Sequence, residues 1–455
     1  MKFGCGKKNI TKGKIIKMAQ SYSSSSSRHS SSLSFSSSSS SSNNNNDSLL
    51  LSSSSSSSNN AKTIGTEYEG YRKWRGIVKG NNNCLYCIPF YATQILKIDP
   101  STDQTTLVGH IYAGDFKWYN GFAHGDFIYG IPYNAQQFLK YNIITEMSEL
   151  VGGDIIDIDI GEDEDDFKWR SGAVADDGCF YCFPYEHNRI LKFNPQNDTV
   201  VFVGEEIEGY YKFSGTVKAK NGCLYGIPFD ANRVAKFNVA MEEVTFIGDN
   251  YGGGDDSEDD TFDVSKGSGW MGGVEGTDDN IYGVPFNQNQ WLKIDIVTET
   301  TSLIGDDLST YGNYKYDGGV VGEDRIVYAI PSDANRITKF NTTTEQMSEV
   351  RKRRHEDNYN ADNGDDKWSG GVLHPNGHIY CAPYCNNNVL KIKTNHIRDE
   401  GNMLLLQSNS SLTEFNEYIN SNQFEYIYVT HKAFYDRLVS YRNSLIVMNA
   451  KLALE

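Results

Sequence analysis

Seven prolines, Pro89, Pro132, Pro184, Pro228, Pro285, Pro331 and Pro383, each end a near-identical phrase such as CLYCIP, FIYGIP, NIYGVP or HIYCAP. Three residues before each lies a tyrosine (Tyr86, Tyr129, Tyr181, Tyr225, Tyr282, Tyr328, Tyr380), and eight after each a lysine (Lys97, Lys140, Lys192, Lys236, Lys293, Lys339, Lys391). An aromatic precedes each proline by fourteen or fifteen residues: Trp74, Trp118, Trp169, Phe213, Trp270, Tyr316 and Trp368. A period of 43 to 57 residues, held seven times over, leaves few architectures open.

Each unit reads as four short strands: a glycine-rich one (GGV at 272–274), an apolar one ending at proline, a third such as QWLKID and a fourth such as TTSLIG. Proline closes the second strand because it donates nothing to a ladder. In the polar turn that follows, Asn188, Asn232, Asn289, Asn335 and Asn387 are expected to take the left-handed conformation of a tight hairpin. Four-stranded units repeated seven times predict an all-β, seven-bladed β-propeller over residues 61–395.

The last unit lacks a clear fourth strand after VLKIKTN, whereas AKTIG (61–65) stands alone ahead of the first unit. AKTIG is therefore expected to be the outermost strand of the seventh blade, closing the ring. The glycine-rich strands should be innermost, where backbones converge on the axis. The lysine ring reads as structural, its stems covering aromatics and its ammoniums reaching acids.

Residues 1–60 cannot join a core, because 21–60 are nearly all Ser and Asn and read as disordered. This leader has seven Lys or Arg against one acid, so the rest of the chain carries −23 of the net −17. With no apolar run of eighteen, nothing spans a membrane, and the expected location is cytoplasmic or nuclear; the acid-poor leader also has the composition of an organellar transit peptide. Residues 396–455 are expected to form a helical tail: Ser411-Leu-Thr-Glu414 reads as a capping box, and Phe434, Leu438, Tyr441, Leu445, Met448 and Leu452 recur at alternating four and three. That seam suits self-association or docking on the propeller.

Residues 171–195, SGAVADDGCFYCFPYEHNRILKFNP, resemble the repeat of NHL propellers and, more loosely, gluconolactonase-like and kelch propellers. The resemblance covers residues 61–395 and implies fold rather than activity. Proline stands where the NHL pattern usually has aspartate, and the glycine pair lies in the first strand rather than at the end of the second.

No GxSxG, HExxH or GxxxxGK[ST] motif occurs. The pairs Cys84/Cys87 and Cys179/Cys182 lie on strands, where residues three apart face opposite ways, so neither pair closes on a metal. His374, His378, Cys381 and Cys385 are the densest set of potential ligands, yet His378 and Cys381 align with core strand positions of other units and Cys385 lies across a turn. The units differ most in three long acidic links, which supply Asp163, Glu164, Asp165 and Asp166; Asp255, Asp256, Glu258, Asp259 and Asp260; and Asp365 and Asp366. By strand direction these links leave the disc on the same face as the polar turns. They read as solvated loops, with a divalent cation the one candidate cofactor.

The expected function is a non-catalytic scaffold binding a protein or basic peptide on this acidic face. The alternative is a metal-dependent hydrolase of the gluconolactonase type, with its site at the axis. Nucleic acid is disfavoured, because 61–395 holds 30 basic against 51 acidic residues.

Overall fold

The computed structural model describes residues 60–153, 155, 167–251, 269–350 and 366–395. Seven four-stranded antiparallel sheets follow one another along the chain, each running from an inner strand outward. The inner strands are Trp74–Lys79, Trp118–His124, Trp169–Val174, Phe213–Lys218, Trp270–Glu275, Tyr316–Val321 and Trp368–His374. In the last blade the fourth place is taken by Ala61–Ile64, which pairs antiparallel with Val389–Lys393, Ile64 facing Val389 and Ala61 facing Ile392. The chain is thus a seven-bladed β-propeller whose first strand closes its last blade. Among the described residues no helix is long and apolar enough to cross a membrane.

The repeat tyrosines and the aromatics that open the inner strands are buried where blades meet. Seven apolar clusters each join two neighbouring blades; one packs Tyr86 and Ile88 against Trp118, Leu139 and Tyr141. Five of the seven aromatics are tryptophans, and each indole N–H donates to the carbonyl just before its own blade's third strand, as from Trp74 to Gln94 at 2.8 Å. The bond satisfies the one polar atom of an otherwise apolar ring.

At the rim the lysine ring ties blades together. Lys97 reaches Glu146 at 2.9 Å, Lys140 Asp198 at 2.5 Å, Lys236 Glu299 at 2.5 Å, Lys293 Glu345 at 2.6 Å and Lys391 Asp103 at 2.6 Å, each acid belonging to the next blade. Lys140, Lys192 and Lys391 also lie over the aromatic rings of Phe127, Tyr181 and Tyr380, as expected of a covering stem.

The turn after each proline differs from expectation. None of the five asparagines is left-handed; in the blade hairpins the residues that take positive φ include Asp103, Glu146, Asp198, Glu242, Glu299 and Glu345, between the third and fourth strands. Five residues separate Pro184 from the next strand at Ile190, too many to need a two-residue hairpin. The asparagine carbonyls serve the next link, Asn188 accepting from Ile207 at 2.7 Å and Asn232 from Tyr251 at 2.9 Å.

Candidate functional site

At the axis the inner strands touch through the second residue after each aromatic: Gly76, Asn120, Ser171, Gly215, Gly272, Gly318 and Gly370. A Cβ built on Gly215 would lie 2.8 Å from the Cα of Gly272, and one on Gly370 3.1 Å from the Cα of Gly76. Backbone packed this tightly narrows the axis at that level. The register of each inner pair also shifts there, one extra residue bulging between the aromatic and the glycine-rich stretch.

The residue after each aromatic sits in that bulge or, for Ser369, pairs with Ala382 immediately before it, giving a ring of Arg75, Tyr119, Arg170, Ser214, Met271, Asp317 and Ser369. Contacts between distant blades place it at the axis. Arg75 of the first blade pairs with Asp317 of the sixth at 3.1 Å, and the Tyr119 hydroxyl of the second lies 3.6 Å from the Met271 sulfur of the fifth.

A second ring stands at the proline end, formed by the residue after each proline: Phe90, Tyr133, Tyr185, Phe229, Phe286, Ser332 and Tyr384. Six of the seven are aromatic, and they form with Tyr119 and Met271 an eighth apolar cluster that circles the axis instead of bridging two blades.

Backbone hydrogen bonds lock this mouth. The N–H of each residue after proline donates to the carbonyl of the residue before its own blade's aromatic, as from Tyr185 to Lys168 at 2.8 Å. The N–H of that second residue donates to the preceding blade, as from Lys212 to the Tyr185 carbonyl at 2.8 Å. Both bonds recur in all seven blades, so the circle is continuous.

In six blades the residue before the aromatic is a buried lysine: Lys73, Lys117, Lys168, Lys212, Lys315 and Lys367; the fifth blade has Gly269. Lys117 donates to the carbonyls of Gly114 and Phe90 at 2.6 and 3.0 Å, and Lys315 to three carbonyls of residues 286–288. Burial pushes the ammoniums of Lys73, Lys117, Lys212 and Lys315 down to about 8. The carbonyls around them favour the charged form.

The mouth holds its charges unevenly. Arg75 has the Asp317 carboxylate, the Tyr384 hydroxyl at 3.1 Å and the Tyr119 ring at 4.3 Å. Burial pushes the Asp366 carboxyl above its usual range, against the opposing pull of Arg75 and Arg72, and Asp366 accepts from Ser332 at 3.3 Å. Arg170 lies over Tyr185 at 3.6 Å and Phe229 at 4.7 Å, and no carboxylate among the described residues pairs with it.

Of the eleven acidic positions expected to form a face, only Asp366 lies within the described residues; it stands at the mouth, half-buried. Asp163, Glu164, Asp165, Asp166, Asp255, Asp256, Glu258, Asp259, Asp260 and Asp365 lie outside them, as do the tail residues Phe434, Leu438, Tyr441, Leu445, Met448 and Leu452. The ligand-type side chains of the seventh blade do not converge. His374 and His378 pair at one end of their hairpin and Cys385 follows the proline at the other. Among the described residues no three His, Cys, Asp or Glu side chains come together as a metal site, and every cysteine there is free.

The fold and its axial mouth define the class, a seven-bladed β-propeller with an aromatic and arginine-bearing centre. Among solved structures it is similar to a streptogramin B lyase (TM-score 0.56, 13% identity, covering 74% of this chain and 97% of that one). It is also similar to virginiamycin B lyase from Staphylococcus aureus (TM-score 0.54, 12% identity, covering 74% and 99%). At such identities the likeness is one of fold. No protein-family model and no curated protein matches the sequence.

Proposed function

We propose that the protein is a non-catalytic binding propeller that holds a peptide or protein segment across the axial mouth on its proline-end face. One observation carries this reading. The repeat frame is nearly the same in all blades, but the seven positions after the aromatics hold Arg, Tyr, Arg, Ser, Met, Asp and Ser. Packing alone would favour the same answer seven times, as it does for the buried tyrosines. Tyrosine and arginine over a rigid backbone are also the residues that dominate binding hot spots. The strands that flank the three acidic links end and begin at this proline end, and a net negative charge near it would favour encounter with basic segments.

The test is to pan a random peptide library on the full-length protein. Ser332 already occupies the ring of residues after proline, so serine fits that backbone. Peptides enriched on the native protein should bind Tyr185→Ser and Phe229→Ser at least about tenfold more weakly. No enrichment over an unrelated seven-bladed propeller, or binding indifferent to both substitutions, would remove the mouth from consideration.

A further inference from the structure

We infer that Arg170 is an anion-binding centre in the axial mouth and that its ligand is a carboxylate. The inference rests on reading the mouth as a binding site and names the chemistry it takes. Arg170 is 8% exposed, and a guanidinium stays charged at any pH a protein meets. A buried charge needs a partner.

The partners present are weak. One terminal nitrogen lies 3.5 Å from the Tyr133 hydroxyl, the other 3.9 Å from the Met271 sulfur, and Nε meets no acceptor. The rings of Tyr185, Phe229, Tyr119 and Tyr133 lie 3.6, 4.7, 5.3 and 5.8 Å from the guanidinium carbon. Aromatic faces attract a cation but satisfy none of its N–H groups. The donors are therefore held in an aromatic cage without the acceptor their geometry suits, a planar, two-oxygen anion.

The same mouth contains the answered version of this arrangement. Arg75 occupies the equivalent position two blades away and lies over the same Tyr119 ring, and it has Asp317 at 3.1 Å. A carboxylate arriving from outside would give Arg170 what Asp317 gives Arg75. Asp317 and Asp366 on the opposite side of the mouth make a dianion such as phosphate the poorer choice, since each added negative charge meets theirs. Carboxylates come both as peptide groups and as free small acids. The peptide source follows from the proposed function, and the experiment separates the two.

Full-length protein is titrated with benzoate, with its neutral counterpart benzamide and with inorganic phosphate, followed by saturation-transfer NMR. Benzoate should bind at least about tenfold more tightly than benzamide and phosphate. Arg170→Met should abolish benzoate binding and leave the denaturation midpoint unchanged or raised, because it removes a buried charge that lacks a partner. Arg170→Lys, which keeps the charge and loses the fork, should bind benzoate weakly.

Benzoate and benzamide binding alike, phosphate binding in place of benzoate, or Arg170→Met losing stability while benzoate still binds would each overturn the assignment. The enriched peptides are then retested with each Glu or Asp replaced by its amide and with the C-terminus amidated. Loss of binding on removing one carboxylate supports the peptide source. If benzoate binds through Arg170 but no peptide is enriched, the carboxylate site stands with a free small acid as its ligand, and the peptide reading falls. If peptides bind regardless of their carboxylates and benzoate is silent, this inference falls and the mouth remains a peptide site.

Discussion

Gly76 and Gly178 share φ of +77°, yet a Cβ on Gly76 would lie 2.5 Å from the Cα of Asn120 whereas one on Gly178 would meet nothing within 4 Å. Alanine at Gly178 therefore carries only left-handed strain, about 1–2 kcal/mol. Alanine at Gly76 adds a backbone clash at the axis, worth roughly 2 kcal/mol more. Urea denaturation should rank the two in that order, and equal losses would mean that the inner strands do not meet as closely as Gly76 and Asn120 indicate.

The buried lysines make a second residue-level prediction. For Lys73, Lys117, Lys212 and Lys315 the folded-state pKa of about 8 lies below the ordinary lysine value of 10.5, so between the two the unfolded chain binds more protons. Stability should then rise with pH from about 8 toward 10, as the cost of burying these charges is relieved. Above about 10 it should fall, because burial raises the pKa of Tyr119 and Tyr133 and the unfolded chain loses those protons first. Replacing Lys315, which is fully buried, with methionine should flatten part of the rise. A denaturation midpoint flat across this window would show that the carbonyls keep the ammoniums fully charged.

At the scale of elements, the repeated phrases made the blades readable, and the missing fourth strand made their closure readable. A chain beginning at Asn60 keeps Ala61–Ile64; one beginning at Thr66 uncovers Val389 and Ile392, both buried, and loses the bond from the Asn388 amide to the Gly65 carbonyl at 3.2 Å. The shorter chain should melt several degrees lower, by calorimetry or circular dichroism. Equal melting would contradict the closure.

What the pattern hid is equally physical. Left-handed Glu146, Glu242, Glu299 and Glu345 between the third and fourth strands are poor choices by local propensity, and their ion pairs to the preceding blade's lysines are invisible until the blades are side by side. The axial residues were passed over for the opposite reason. A search for sameness finds Trp74 and Trp169 and steps across Arg75 and Arg170, the positions where the repeats disagree. The six lysines before the aromatics do repeat, but only the circle of carbonyls, drawn from loops of different blades, explains how they are buried.

For the whole molecule, 59 acidic against 42 basic residues leave a net charge of −17, and any anion reaching Arg170 must cross that field. A surface arginine holding a carboxylate weakens as salt rises, because screening acts on the attraction. At Arg170 the attraction is buried and little screened, whereas the repulsion from the surrounding acids acts through solvent. Raising salt from about 10 mM to about 150 mM shortens the screening length from roughly 30 to 8 Å and removes more repulsion than attraction. Benzoate should therefore bind about twofold more tightly at the higher salt, while a basic peptide held by the acidic links should bind more weakly. Changing Asp255, Asp256, Glu258, Asp259 and Asp260 to their amides should reduce both salt effects, since these residues supply part of the field in either case. Benzoate affinity that falls with salt would place its carboxylate on an exposed cation away from the axis.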